Sequence, residues 1–157
     1  MNKFGLCILL VGSVAYSARP ALAQDLVQVE LDEFWSGVVS SVVNWDIDAQ
    51  KATYHPDAIS VRGDDAAYET KLMSQVYAEV SDSSPPSNPG LEFRFLSRVH
   101  DVNTAHEVGL YRFWSDEVEE FFGTVDSYLV KVDGQWKILV EIQRGEGLPR
   151  AKWDALE

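Results

Sequence analysis

The sequence predicts an α+β fold, with helices in the first half of the chain and an antiparallel sheet in the second. Two observations predict it. Apolar residues recur every three or four positions up to about residue 80, which is the period of an amphipathic helix. After Gly90 apolar and polar residues alternate, which is the period of a strand. Elements segregated in this way pack as helices against one face of a curved sheet.

The first 23 residues have the features of a secretory signal peptide. Lys3 supplies the positive start, residues 4–14 are apolar apart from Gly and Ser, and Ala21-Leu22-Ala23 gives a cleavage site before Gln24. We therefore expect an exported protein, periplasmic or secreted, with a single domain over residues 24–145 and a tail at 146–157. No later run reaches the roughly 18 apolar residues of a membrane span, so no span is expected.

Length and charge exclude several classes of function. The 157 residues suffice for one domain with a core. Cleavage would remove Lys3 and Arg19 but no acidic residue, so the net charge would go from −12 to −14. A chain this acidic repels phosphate backbones, and we expect no nucleic-acid partner. The only cysteine, Cys7, would leave with the signal peptide, so no disulfide or thiolate nucleophile is expected in the mature chain.

Three helices are predicted. Asp46 is a suitable N-cap for the second, which reaches about Thr53, and Asp64 or Asp65 can cap the third. The first and third have apolar stripes at helical spacing. These stripes are Leu31, Phe34, Trp35, Val38, Val39, Val42 and Val43 in the first helix, and Leu72, Met73, Val76, Tyr77 and Val80 in the third.

The strands are predicted from alternation and from turn residues. His55-Pro56-Asp57 favours a turn, Ile59 to Val61 a short strand, and residues 81–90, with three prolines, a loop. Asp133-Gly134 is a strong two-residue hairpin signal. Four longer strands follow from the alternation, at 91–100, 104–114, 121–132 and 135–143.

Four segments together resemble the nuclear transport factor 2-like superfamily, in particular its SnoaL-like and ketosteroid-isomerase-like bacterial branch. The matching segments are Trp45-Asp46 through Ala49, Tyr54-His55-Pro56-Asp57-Ala58, Gly123 to Tyr128, and Lys131 to Ile138. The resemblance covers about residues 30 to 145. It implies a cone, in which a curved sheet wraps a long helix around an apolar pocket. Because this superfamily includes enzymes and binding modules, the fold alone predicts no reaction.

The resemblance also implies which side chains face the pocket. On the strand over 121–132, the implied inward face is Phe122, Thr124, Asp126, Tyr128 and Val130, and on the last strand Glu141 and Gln143 are implied to face inward. The candidate catalytic residues are Asp126, Glu141 and Tyr128. The candidate ligand-binding residues are Tyr54, Met73, Tyr77, Phe122, Thr124 and Gln143.

Direct pairing about the Asp133-Gly134 turn would set Asp126 opposite Glu141. Two opposed carboxylates share a proton, which permits acid–base chemistry, or are bridged by a cation, or their side chains diverge. An arginine such as Arg62 or Arg112 is the favoured bridge.

Residues that the ketosteroid-isomerase branch uses are missing. Its base lies eight residues after the tyrosine of the Tyr-x-x-Asp-Ala segment, and here that position is Arg62. The tyrosine expected on the first helix falls near Val38. We therefore do not expect that isomerase chemistry, and we expect no cofactor. His100, His106 and Glu107 form at most a weak candidate metal site, and no metal is predicted.

Three functions remain open. The first is an exported domain that binds a small molecule without catalysis. The second is an isomerase, lyase or hydrolase that acts on a small apolar substrate through Asp126, Tyr128 and Glu141. The third is an interaction module. An apolar stripe on the last strand would face outward and need cover, which predicts a homodimer through the outer sheet face. That stripe is Trp136, Ile138, Val140 and Ile142.

Overall fold

The computed structural model describes residues 19–63, 67–80, 83–144 and 147–156. Within these ranges the chain forms four helices and six strands. The helices are α1 (Arg19–Val43), α2 (Ile47–Ala52), α3 (Met73–Val80) and α4 (Arg150–Asp154). The strands are β1 (Tyr54–Gly63), β2 (Tyr68–Leu72), β3 (Gly90–His100), β4 (Thr104–Trp114), β5 (Phe121–Val132) and β6 (Gln135–Arg144).

The strands form one curved sheet in the order β2-β1-β6-β5-β4-β3. Neighbouring strands are antiparallel except β1 and β6, which are parallel. The predicted α+β class is confirmed, and the four long predicted strands agree with β3 to β6 to within a residue or so at each end. Asp133 and Gly134 form the predicted tight turn, with φ of 50° and 79°. None of the described helices combines the length and apolarity needed to cross a membrane.

Several local predictions differ from the structure. The residues 55–57 predicted as a turn belong to β1, in a stretch where its pairing with β6 shifts between Tyr54 and Ile59. The predicted third helix begins only at Met73, because Leu72, which was counted in its apolar stripe, is the last residue of strand β2. Strand β2 and helix α4 were not predicted. Both are short, and a single edge strand or one helical turn leaves little periodic signal. The predicted caps Asp64 and Asp65 lie outside the described residues, as does most of the predicted signal peptide.

Helix α1 packs into the concave face of the sheet. Its buried residues Val27, Leu31, Trp35 and Val38 follow helical spacing and form one core cluster with inward residues of β4, β5 and β6. The sheet residues of this cluster are Ala105, Tyr111, Val125, Leu129, Trp136 and Ile138.

Helix α4 packs on the opposite, convex face. There Trp153 forms a second cluster with Leu110 and Phe122. Leu110 and Tyr111 are consecutive on β4, so their side chains point to opposite faces. The two clusters therefore lie on the two sides of the same sheet.

A β-bulge at Leu139 decides which residues of β6 face α1. Leu129 pairs with Ile138, but the next residue, Tyr128, pairs with Val140, so Leu139 has no direct partner. Trp136 and Ile138 lie before the bulge and are core residues, 6% and 0% exposed. The predicted outward stripe over Trp136, Ile138, Val140 and Ile142 is therefore wrong, because the bulge moves its first two members to the concave face.

Candidate functional site

A row of polar side chains crosses the concave face of the sheet. Glu141 on β6 pairs with Ser60 on β1 and with Ser127 on β5, and Ser127 pairs in turn with Glu107 on β4. Residues paired in this way point to the same face. All four are buried, with exposures of 2% for Ser60, 4% for Glu141 and 0% for Ser127 and Glu107. Such a row inside an apolar core needs a chemical explanation.

The Glu141 carboxyl accepts two hydrogen bonds. The Tyr54 hydroxyl donates to Oε2 at 2.7 Å, and the Gln143 amide donates to Oε1 at 2.6 Å. Burial raises the pKa of Glu141, and the Tyr54 hydrogen bond, the positive charge of Arg62 and the Gln143 amide offset part of that rise. The carboxyl therefore stays protonated to a higher pH than an exposed glutamate does.

The two serines beside Glu141, unlike its carboxyl group, have hydroxyls that are unpaired within the described part of the chain. Neither the Ser60 hydroxyl nor the Ser127 hydroxyl has a hydrogen-bond partner among the described residues. Leaving a buried hydroxyl unpaired costs about 1–3 kcal/mol. Each hydroxyl can donate one hydrogen bond and accept others, so the three residues offer both donors and acceptors.

A pocket of about 300 Å³ is linked to this row through Tyr54, while Ser60, Glu141 and Ser127 are not among its lining residues. Its lining residues come from α2, the start of β1, and α3, and they are Lys51, Tyr54, His55, Pro56, Met73, Ser74 and Tyr77. The Tyr54 and Tyr77 rings meet edge to face, with centroids 5.8 Å apart. Tyr54 thus joins the two parts of the site, because its ring lines the pocket and its hydroxyl binds Glu141.

Both pocket tyrosines remain hydrogen-bond donors. Burial, together with the negative charge of Glu141, raises the pKa of Tyr54 and of Tyr77 well above the ordinary value of 10. The Tyr77 hydroxyl lies 3.5 Å from the amide oxygen of the buried Gln50.

The residues proposed from the sequence fall into two groups. Tyr54, Met73 and Tyr77 line the pocket, and Gln143 contacts Glu141. Their roles in ligand binding remain predictions. Phe122, Thr124, Asp126 and Tyr128 lie on the convex face, so their expected inward orientation is wrong.

The expected pairing of Asp126 with Glu141 is also wrong. Asp126 pairs with Ile142, because the bulge at Leu139 shifts the register of β6 by one residue. A shift of one residue moves a side chain to the other face. The two carboxylates therefore point to opposite sides of the sheet, and neither a shared proton nor a bridging arginine can join them.

On the convex face these residues have partners of their own. The Asp126 carboxylate lies 2.8 Å from His106 Nε2, and the His106 ring stacks on Tyr128 with centroids 4.1 Å apart. Thr124 donates to the Arg144 carbonyl, and Phe122 packs against Trp153.

The weak candidate metal site of His100, His106 and Glu107 does not form. His106 and Glu107 are consecutive on β4 and point to opposite faces. No group of three or more His, Cys, Asp or Glu side chains placed to hold a metal ion occurs in the part of the chain that the structure describes.

Sequence reasoning missed Ser60 and Ser127, and it considered Glu107 as part of a weak metal site and not of this row. Both faces of β5 have apolar residues at most positions, so alternation alone does not select the inward one. The sequence of β4 contains a usable signal. The small residues Ala105 and Gly109 lie two positions before and after Glu107, so all three residues belong to the same face of the strand. Small side chains on one phase of a strand indicate a helix packed closely above it.

Solved structures similar to this chain share its fold at low sequence identity. An NTF-2-like protein of unknown function from Shewanella oneidensis MR-1 matches with a TM-score of 0.62 and 14% identity, over 75% of this chain and 98% of that one. An NTF2-like superfamily protein from Salmonella enterica matches with a TM-score of 0.64 and 14% identity, over 81% and 95%. A putative scytalone dehydratase from Novosphingobium aromaticivorans matches with a TM-score of 0.64 and 12% identity, over 82% and 89%.

These likenesses show that the chain has the nuclear transport factor 2-like fold. No protein-family model matches the sequence, and no curated protein matches it either. The likeness extends to the fold alone, and any activity must be argued from the residues of this chain.

Proposed function

We propose that this protein is an exported domain that binds a small, mainly apolar molecule without chemically converting it. The binding site is the pocket lined by Tyr54 and Tyr77. The observation that supports the proposal most is the position of Tyr54, which lines the pocket and hydrogen-bonds the buried Glu141. A concave, mostly apolar pocket with a few convergent polar groups is typical of small-molecule sites.

The lining residues indicate the size and character of the ligand. Met73, Pro56 and the two tyrosine rings supply apolar surface, and Lys51, His55 and Ser74 supply polar groups. A volume of about 300 Å³ is at the lower end for such sites. A molecule of two or three rings fits it better than a long lipid does.

Binding can be tested with the apolar fluorescent probe N-phenyl-1-naphthylamine. We expect a saturable rise in fluorescence with the wild-type protein. Ser74→Trp adds a large ring to the pocket wall and should weaken probe binding about tenfold or more. Ser36→Trp, at an exposed position of α1 outside the pocket, is the matched control and should bind the probe as wild type does. Absence of saturable binding, or equal binding by both variants, would contradict the proposal.

A second candidate, proton transfer, rests on the raised pKa of Glu141. Of the three catalytic candidates only Glu141 is inside the cone, and Tyr54 is the donor beside it. The test is exchange of the α-protons of 2-tetralone in D₂O, followed by NMR. Faster exchange with wild type than with Glu141→Gln supports this candidate, and equal rates contradict it.

The convex face supports the proposal of a homodimer. Val99, His106, Tyr128 and Val140 pair in sequence across β3 to β6, and Val99 and Tyr128 are exposed. Three of these four residues, Val99, Tyr128 and Val140, are apolar or aromatic, and an apolar patch on an exposed sheet face is typical of an interface. Light scattering should give a dimer at micromolar concentration, and Tyr128→Glu should dissociate it. Val118→Glu, at an exposed loop position, is the control. A monomeric wild type would contradict the proposal.

Export is proposed from the sequence of residues 1–23. Helix α1 extends across the expected cleavage site, and its described core residues, Val27, Leu31, Trp35 and Val38, all lie after that site. Cleavage after Ala23 would therefore leave that core packing in place. The intact mass of exported protein should correspond to a chain that starts at Gln24, and retention of Met1 would contradict the proposal.

A further inference from the structure

We infer that the row Ser60–Glu141–Ser127 recognises a neutral hydroxyl group at the buried end of the ligand. The inference rests on the proposed binding pocket and adds the chemical class of molecule that the pocket takes: a small ring compound with an alcohol or phenol group. Three buried polar side chains on adjacent strands support it.

The row has two hydroxyl groups whose hydrogen-bonding capacity is unused within the part of the chain that the structure describes. The Ser60 and Ser127 hydroxyls lie on either side of Glu141, at 2% and 0% exposure, and neither has a partner among the described residues. Buried polar groups in folded proteins are nearly always paired. Two unpaired hydroxyls beside one carboxyl indicate a place where a polar group of another molecule binds.

Glu141 already binds a hydroxyl group. The group that donates to its Oε2 is the phenol hydroxyl of Tyr54, at 2.7 Å. A ligand hydroxyl that replaced the Tyr54 hydroxyl would donate to the carboxyl and accept from a serine. Tyr54 would have to turn away from Glu141, and its ring already faces the pocket from which the ligand would come.

The charge of the ligand end is also restricted by the row. An anionic end is disfavoured because the row is buried, and a negative charge brought there would lose its hydration. A cationic end is disfavoured because burial favours the protonated carboxyl and because Arg62 already places positive charge nearby. A neutral hydroxyl avoids both costs.

The selectivity can be measured by displacing N-phenyl-1-naphthylamine with ring compounds of one shape. We expect 2-naphthol to displace the probe at about tenfold lower concentration than 2-methylnaphthalene, because only the naphthol can pair with the row. Both 2-naphthoate and 2-naphthylmethylamine should displace it less well than 2-naphthol. Equal displacement by naphthol and methylnaphthalene, or a preference for a charged compound, would overturn the inference.

Variants of the row give a second measurement. Ser60→Ala and Ser127→Ala should each weaken 2-naphthol about three- to tenfold and leave 2-methylnaphthalene unchanged. Neither should lower the Tm of the free protein, because each removes a hydroxyl that has no described partner. Ser41→Ala is the matched control, since Ser41 is equally buried but donates to the Val38 carbonyl at 2.8 Å. It should leave naphthol binding unchanged.

The outcomes separate the inference from the proposed function. If wild type does not bind N-phenyl-1-naphthylamine, the pocket proposal fails and the inference fails with it. If the probe binds normally but the serine variants bind 2-naphthol as wild type does, only the role of the row is contradicted.

Discussion

Trp35 of α1 donates its indole N–H to a carboxylate oxygen of Glu107, 72 residues later in the chain. The other oxygen accepts from Arg98 on β3, and Arg98 also binds Asp32 of α1. Glu107 has no exposed surface, so this network lies between the helix and the sheet. It attaches α1 to the strands that form one wall of the cone.

Removing the Glu107 carboxylate should destabilise the fold strongly. Glu107→Ala leaves Arg98 and the Trp35 indole without their partner in the interior, which should cost about 3–5 kcal/mol. Glu92→Gln is the control, because Glu92 makes a longer, more exposed contact with Arg112 and should change stability by less than about 1 kcal/mol. Urea unfolding measures both. A loss below about 1 kcal/mol in Glu107→Ala would contradict the described network.

Replacing Glu141 with glutamine should change how stability depends on pH. Burial raises the folded-state pKa of Glu141 above the ordinary 4.5, so the unfolded chain loses this proton first as pH rises. The stability of wild type relative to Glu141→Gln should therefore be greatest below pH 4.5. This difference should shrink as the pH rises through the raised pKa of Glu141. Thermal unfolding of both proteins across this range gives the difference.

The control for this pH dependence is Glu117→Gln. Hydrogen bonds from Ser87 hold the pKa of Glu117 below 4.5, so its contribution has the opposite sign. Wild type should lose stability relative to Glu117→Gln as pH falls below 4.5. A Glu141→Gln difference that is flat across the range would show that Glu141 is not desolvated.

Helix α4 should be a stabilising part of the domain although it lies in the segment interpreted from the sequence as a tail. Trp153 is 2% exposed, packs on Phe122, and lies 4.3 Å under the Arg94 guanidinium. Trp153→Ala should cost about 3 kcal/mol and expose Leu110 and Phe122. Lys152→Ala, at the exposed neighbouring position, is the control and should have little effect. Equal stability of the two variants by chemical denaturation would contradict this packing.

Replacing Asp126 with asparagine should have a small effect. Asp126 pairs with His106 on the convex face and is not adjacent to Glu141, so the substitution should cost at most about 1 kcal/mol. It should also leave probe binding in the pocket unchanged. A gain in stability at neutral pH, or a loss of probe binding, would indicate that Asp126 faces the interior after all.

The order of the main elements and the limits of the four long strands follow from the sequence by itself. The apolar spacing of α1, the alternation of β3 to β6 and the Asp133-Gly134 turn are local patterns, and the structure agrees with each. The ion pair between Arg98 and Glu107 also follows from the sequence, because a hairpin of β3 and β4 places these oppositely charged residues on neighbouring strands. These features depend on residues close together in the chain.

The inward face of the sheet was decided only by the tertiary structure. The bulge at Leu139 shifts β6 by one residue, and since strand side chains alternate with a period of two, that shift places Glu141 beside Ser60 and Ser127 and away from Asp126. Phe122 faces outward because α4 covers it, and a helix of five residues has almost no periodic signal in the sequence. Which side chains face the site therefore depends on the bulge at Leu139 and on the short helix α4. Both take effect only when the strands and helices pack together.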